Sequence, residues 1–222
     1  MPLSAELTQG VSGLQSHLES NESNVINVTG YYTSEEENNT AFPNLGLARA
    51  NSIKNDLASK GFSTAQINTH GKLMDEMIPK DGTYWGAASF GLEEKSATAD
   101  DDLKALYDKI KADPLILHFD TAEASIHLDA EQRQKVADIS RYLDKVSDAT
   151  SSVVGHTDAT GKASTNMRLG QDRAEFAKNY LIQNGIAADK IVASSKGQTQ
   201  PIADNATEEG RVKNRRTVIT LN

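Results

Sequence analysis

Apolar residues recur at helical spacing in several stretches of the chain and alternate or cluster in short runs between them. In the second half, Leu115-Ile116-Leu117-His118-Phe119 is a short apolar run that reads as a strand. Asp129 stands where an N-cap belongs, and Val136, Ile139, Leu143 and Val146 follow at the spacing of one helix face. Ser151 to Gly155 reads as a second strand, and residues 156–165 as a polar loop containing Gly161. A helix is predicted from about Asn166 to Gln183, with Leu169, Phe176, Ala177, Tyr180 and Leu181 inward and Gly185 at a left-handed C-cap. Lys190 to Ser194 reads as a third strand, Gly197 to Asn214 as a long polar loop, and Thr217 to Leu221 as a closing strand. The order strand-helix-strand-helix-strand-strand predicts an α+β domain, a mixed sheet with helices on one face.

The first half follows the same plan. A helix carrying Leu7, Val11, Leu14 and Leu18 precedes a strand from Val25 to Val28, a helix from Leu45 to Ser59, a strand near Ile67, and a last strand from Tyr84 to Leu92. Leu45, Gly46, Arg49, Ala50, Lys54, Asn55 and Leu57 recur as Leu169, Gly170, Arg173, Ala174, Lys178, Asn179 and Leu181, at a constant offset of 124. Gly61/Gly185 and Ile67/Ile191 keep that register, and Val28-Thr29-Gly30 parallels Val153-Val154-Gly155 at an offset of 125. Two copies of one fold are therefore expected, over residues 1–95 and 113–222, with residues 96–112 as a linker with a short helix. No strand is evident before Leu7, so the first copy lacks its first strand or takes one from elsewhere.

Composition narrows the field. The 222 residues are 37% apolar, enough for two packed cores of about 110 residues each. The net charge of -8 argues against nucleic-acid binding. It is unevenly spread: residues 1–112 hold 9 Lys and Arg against 16 Asp and Glu, and residues 113–222 hold 14 against 15. There is no cysteine, which excludes disulfides and thiolate metal sites, and no apolar run long enough to cross a bilayer. The start has no signal-peptide pattern, so either the protein is cytosolic or an export segment lies outside this sequence.

The candidate chemistry lies in the loop and helix after the second strand of the second copy. Asp158 leaves a strand end, Arg173 follows on the next helix, and Asn166 stands near that helix's start, where backbone N–H groups and the macrodipole favour an anion. One carboxylate, one guanidinium and several amide donors are what an amino-acid zwitterion needs, its ammonium on Asp158 and its carboxylate on Arg173. An Asp and an Arg so spaced are also compatible with a plain salt bridge. His156 beside Asp158 lacks the further ligands of a metal site, His118 and His127 flank the first strand as solvated or capping residues, and His17 and His70 have no partners in sequence. Arg215-Arg216 is weak as a nucleic-acid patch and fits a brace for the last strand. No nucleophile elbow, zincin motif or phosphate loop is present, which speaks against an enzyme.

The set Gly155-His156-Thr157-Asp158, Gly161, Asn166, Leu169-Gly170, Arg173-Ala174, Gly185-Ile186, Gly197, Pro201 and Asn214-Arg215-Arg216, with Phe119-Asp120 upstream, resembles the OmpA C-terminal-like family. That family is shared by outer-membrane porin tails, the peptidoglycan-associated lipoprotein and flagellar stator proteins. The resemblance covers residues 114–222. It implies a βαβαβ fold that binds peptidoglycan without catalysis or cofactor, through the free end of diaminopimelate in the stem peptide. By position, Asp158 and Arg173 would hold the ligand's ammonium and carboxylate. Asp120, Thr157, Ala159, Asn166 and Leu169 would line the pocket, and Arg216 would approach it. A periplasmic, outer-membrane-associated location in a Gram-negative envelope is implied as well. The first copy departs from the pattern: Gly30-Tyr31-Tyr32-Thr33-Ser34 replaces the Asp-bearing loop, although Arg49 is kept and Glu35, Glu36 and Glu37 lie nearby. It is expected to be a spacer or a contact domain for envelope proteins. The alternative for the whole chain is a protein–protein adaptor with a vestigial pocket.

Overall fold

The computed structural model describes residues 5–118 and 126–222, with side chains from Thr8 onward. The chain divides into two compact units, one of residues up to Thr40 with Asn44–Asp101, the other of Ala41–Pro43 with Asp102–Asn222.

The first unit contains α1 (Ala5–Glu19), β1 (Asn24–Tyr32), α2 (Leu45–Ser59), β2 (Ile67–Leu73) and β3 (Ala88–Glu94). Its sheet has the order β2-β1-β3, with β1 parallel to β2 and antiparallel to β3. Helix α2 starts where Asn44 accepts a hydrogen bond from the Leu47 amide, 2.8 Å away, and satisfies an otherwise free helix donor. The core is small: Leu18 of α1, Ile26 and Val28 of β1, Ala50 and Leu57 of α2, with Phe62 and Ile67. The last strand begins at Ala88, not at Tyr84 as the aromatic pair Tyr84-Trp85 suggested. Asp81, Gly82 and Gly86 all adopt positive φ, which turns the chain repeatedly before it can extend.

The second unit contains α3 (Ala99–Ala112), β4 (Leu115–His118), α4 (Ala130–Lys145), β5 (Ser151–His156), α5 (Ala163–Gln183), β6 (Ile191–Gly197), α6 (Glu208–Asn214) and β7 (Arg216–Leu221). Its sheet has the order β4-β7-β5-β6, with β5 parallel to β6 and β7 antiparallel to both β5 and β4. Asp129 caps α4 in a reciprocal box with Gln132, as its position predicts. Leu115 and Leu117 of β4, Val136, Ile139 and Leu143 of α4, Val153, Ile219 and the small face of α5 form one core, joined by Leu106 and Ile110 of α3. The mixed sheet and its helix layer are thus as expected. The expected polar loop at 197–214 instead ends in α6, and α5 starts three residues before Asn166.

Both units close their central helix in one way. Gly61 and Gly185 have φ of 95° and 93°, and the amides of Phe62 and Ile186 return to the carbonyls of Leu57 and Leu181. A 3-10 turn then leads into Ile67 and Ile191.

Candidate ligand-binding site

The site starts from a contact between two glycines. A Cβ placed on Gly155 of β5 would sit 1.8 Å from the Gly170 carbonyl oxygen of α5, and one on Gly170 would sit 2.2 Å from Ser195 Oγ. The absence of side chains lets helix and strand touch backbone to backbone. This fixes the helix turn carrying Arg173 over the end of β5. There the pairing with β6 slips by one residue between Gly155 and His156, and the Thr157 amide bonds the Gly197 carbonyl at 2.9 Å.

The loop that follows is held from several sides. Asp158 Oδ1 accepts from the Thr160 amide at 2.8 Å, and Asp158 Oδ2 accepts from Arg215 Nη1 at 2.9 Å. Burial pushes the Asp158 pKa up, but the bonds from Arg215 and Thr160 outweigh it and hold the carboxyl below its usual range. Asn166, 4% exposed, points its amide nitrogen at the carbonyls of Asp158 and Thr160 and at Gln198 Oε1. It therefore shapes the loop from within; its own backbone N–H is taken by the Lys162 carbonyl. Thr157 is buried and donates its hydroxyl to the Asp158 carbonyl. Ala159 is exposed, with its amide on Asn205 Oδ1, while the side chain of Leu169 is also exposed. Asp120 and Phe119 lie outside the described residues.

Arg173 is half-buried, and its Nη1 is enclosed without a hydrogen-bond partner among the described residues. Desolvation lowers its pKa from the usual value, repulsion from Arg215 adds to this, and attraction from Asp158 opposes both. Arginine stays charged even so, which leaves a cationic donor with unused bonding capacity beside a carboxylate. Asp158 and Arg173 are electrostatically coupled, yet the salt bridge runs from Asp158 to Arg215. Arg215 also bonds Glu208 at 2.8 Å, and Glu208 in turn bonds Arg211.

Arg216, expected to approach the ligand, is 5% exposed and gives its guanidinium to the carbonyls of Asn214 and Gln200. It braces the β7 end, and its neighbour Arg215 is the residue that reaches the site. Asn214, fully buried, binds the 202–203 backbone and Asn205, which carries the support on to Ala159. His156 is buried among positive charge, and burial with Arg216 and Lys196 lowers its pKa to about 4, so it is neutral near pH 7. Among the described residues no group of three His, Asp or Glu side chains converges as a metal site.

The first unit treats its matching arginine differently. Arg49 forks onto Glu36, with Nη2–Oε1 at 2.5 Å and Nη1–Oε2 at 3.1 Å, and Nη1 also donates to the Tyr31 carbonyl. The Arg49 bonds hold the Glu36 pKa below its usual value. Here too two glycines meet, a Cβ on Gly30 falling 2.0 Å from the Gly46 carbonyl oxygen.

The second unit is thus a mixed α+β domain that presents, at one end of its sheet, a carboxylate and a guanidinium whose Nη1 has no partner among the described residues. Residues 119–215 match the OmpA family, and this unit is an OmpA C-terminal-like domain. Among curated proteins, the chain is 37% identical over 121 residues to the peptidoglycan-binding protein ArfA of Mycobacterium tuberculosis, covering 54% of this chain and 36% of that protein. It is also 37% identical over 94 residues to outer membrane protein A of Bordetella avium, covering 42% of this chain and 48% of that one. Among solved structures, the peptidoglycan-associated lipoprotein of Burkholderia pseudomallei aligns at 25% identity and a TM-score of 0.42, over 48% of this chain and 89% of that one. The chain therefore spans between a third and a half of the length of these curated relatives. Among the described residues no helix is long and apolar enough to cross a membrane.

Proposed function

We propose that the second unit grips peptidoglycan non-covalently, taking the free end of a diaminopimelate side chain, and so tethers an envelope component to the cell wall. The observation that carries this reading is the buried Nη1 of Arg173, without a partner among the described residues, next to an Asp158 carboxyl held below its usual range. Asp158 uses one lone pair on each oxygen for Thr160 and Arg215, which leaves acceptor capacity for an ammonium. Arg173 takes the ligand carboxylate, and Arg215 keeps Asp158 ionised and aimed. Thr157, Asn166 and Ala159 shape the loop, Leu169 offers an apolar rim, and no covalent step is needed. The relatives named for peptidoglycan binding and for the outer membrane support this reading, and with it a periplasmic location. The first unit reads as a degenerate copy: its glycine contact, left-handed cap and strand pairing repeat those of the second, but Glu36 already fills Arg49.

Co-sedimentation with purified sacculi tests the proposal. The intact chain pellets with the sacculi and an Asp158→Ala variant stays in solution. Arg173→Lys keeps the charge, loses the planar fork, and weakens binding by about 1–3 kcal/mol. Equal sedimentation of all three proteins would sink the idea. Muropeptides released over time would mark an enzyme instead, and loss of binding only on deleting residues 1–112 would mark an adaptor.

A further inference from the structure

The sheet of the first unit has an open edge. Bonds from the Tyr31 amide to the Ala87 carbonyl and from the Lys95 amide to the Ser23 carbonyl fix the phase of the β1–β3 ladder. In an antiparallel ladder, alternate residues bond the neighbour, so Ala88, Phe90, Leu92 and Glu94 turn their N–H and C=O groups away from β1. Among the described residues no strand meets them.

Side chains at this edge are out of place for a free strand. Phe90 lies opposite Val28 and Leu92 opposite Ile26, so they share a sheet face with two core residues. Val28 and Ile26 are 0% and 2% exposed, whereas Phe90 and Leu92 are 61% and 49% exposed. The second unit shows the same arrangement completed. Ile219 and Leu221 occupy the matching positions opposite Val153 and Ser151, and both are fully buried. What lies along their far edge is a strand, β4, running antiparallel with Leu115 opposite Ile219.

We propose that the β3 edge is a docking site for an extended segment of a partner polypeptide, added antiparallel as a fourth strand. Backbone bonds to Ala88, Phe90, Leu92 and Glu94 supply the pairing, and apolar side chains two apart cover Phe90 and Leu92. Charge sets the partner's other feature. Glu93 and Glu94 end the strand with no ion pair among the described residues, while Lys95 is engaged by Asp100. An antiparallel segment meets this end with its own N-terminal residues, so the partner carries Lys or Arg just before its apolar pair. The proposal concerns residues of the first unit alone and does not depend on wall binding.

Backbone amide spectroscopy on the full chain tests this, with the peptide Lys-Lys-Leu-Ile-Leu-His, the β4 sequence behind two lysines, as the probe. The amides of Ala88, Phe90, Leu92 and Glu94 shift and exchange more slowly as the peptide is added. A Phe90→Lys variant, changed at an exposed position, loses the response, and a peptide beginning Asp-Asp binds at least several-fold more weakly. The proposal is overturned if these amides do not respond, if they are already protected in the free chain, or if the chain self-associates through β3 instead.

Discussion

Arg215, just after α6, sets the chemistry of a carboxylate that the loop after β5 supplies. Its guanidinium bridges Asp158 and Glu208, with bonds of 2.9 and 2.8 Å. The Asp158 carboxylate is therefore favoured in its charged form, and protonation occurs only below the usual carboxylate range. Because ammonium capture needs the anion, wall binding should persist as pH falls through that range and fail only beneath it. Arg215→Gln removes the bond, raises the Asp158 pKa, and moves the loss of binding to higher pH. Sacculus binding measured between pH 3 and 6 for both proteins checks the sign; superimposable profiles would contradict it. Asp158 and Arg173 were legible in the sequence because a loop after a strand and a helix behind it define their spacing. Arg215 was not, because its position depends on α6. That helix, Glu-Glu-Gly-Arg-Val-Lys-Asn, has one apolar residue, Val212, itself exposed, so it shows no apolar face. It is held by the Thr207 cap and the Glu208–Arg211 pair, which only the folded chain reveals.

At the scale of elements, the glycine contact between α5 and β5 is the main constraint on the site. Gly155→Ala drives a methyl into the Gly170 backbone, which cannot move aside as a flexible side chain could. A loss of about 3 kcal/mol or more is expected, at the upper end of overpacking costs. Gly161→Ala meets open space and bears only the strain of its φ of 91°, about 1–2 kcal/mol. Hydrogen exchange of the β5 amides ranks the two, and a larger effect at Gly161 would refute the close-approach account. The repeat of Gly30-Gly46 as Gly155-Gly170 was visible as a sequence offset, but its cause was not. Helix α2 keeps the expected ends, Leu45 and Ser59, although its buried face mixes Ala50 and Leu57 with Asn51 and Lys54 behind the cap at Asn44. β3 starts later than Tyr84 and Trp85, strand-like by residue type, suggest, because the positive φ angles at Asp81, Gly82 and Gly86 govern the backbone.

Across the whole molecule, two sheets with the same core pairing carry opposite states of one arginine. Arg49 is forked onto Glu36, whereas Arg173 Nη1 is enclosed without a partner among the described residues. The first unit thus pairs its arginine with a carboxylate of its own, whereas the Asp158 carboxylate of the second is bonded to Arg215 instead. Arg49→Lys should leave sacculus binding within about twofold of the parent, an energy near 0.4 kcal/mol, while Arg173→Lys lowers it by more than fivefold. Parallel sedimentation of both variants decides, and equal losses would show that the first unit also meets the wall.

The strand registers of the second unit have a mechanical consequence. The chain enters β4 at Leu115, level with Ile219 and Val153, whereas His118 lies level with Arg216, at the end where β5 gives way to the Asp158 loop. A pull between the entering chain and a ligand held at that loop would run along the strands. The β4–β7 and β7–β5 ladders would then be sheared, many bonds resisting together, instead of being unzipped one rung at a time. An anchor strained by turgor or by movement of the envelope would gain its lifetime from that direction of load as much as from the strength of its grip.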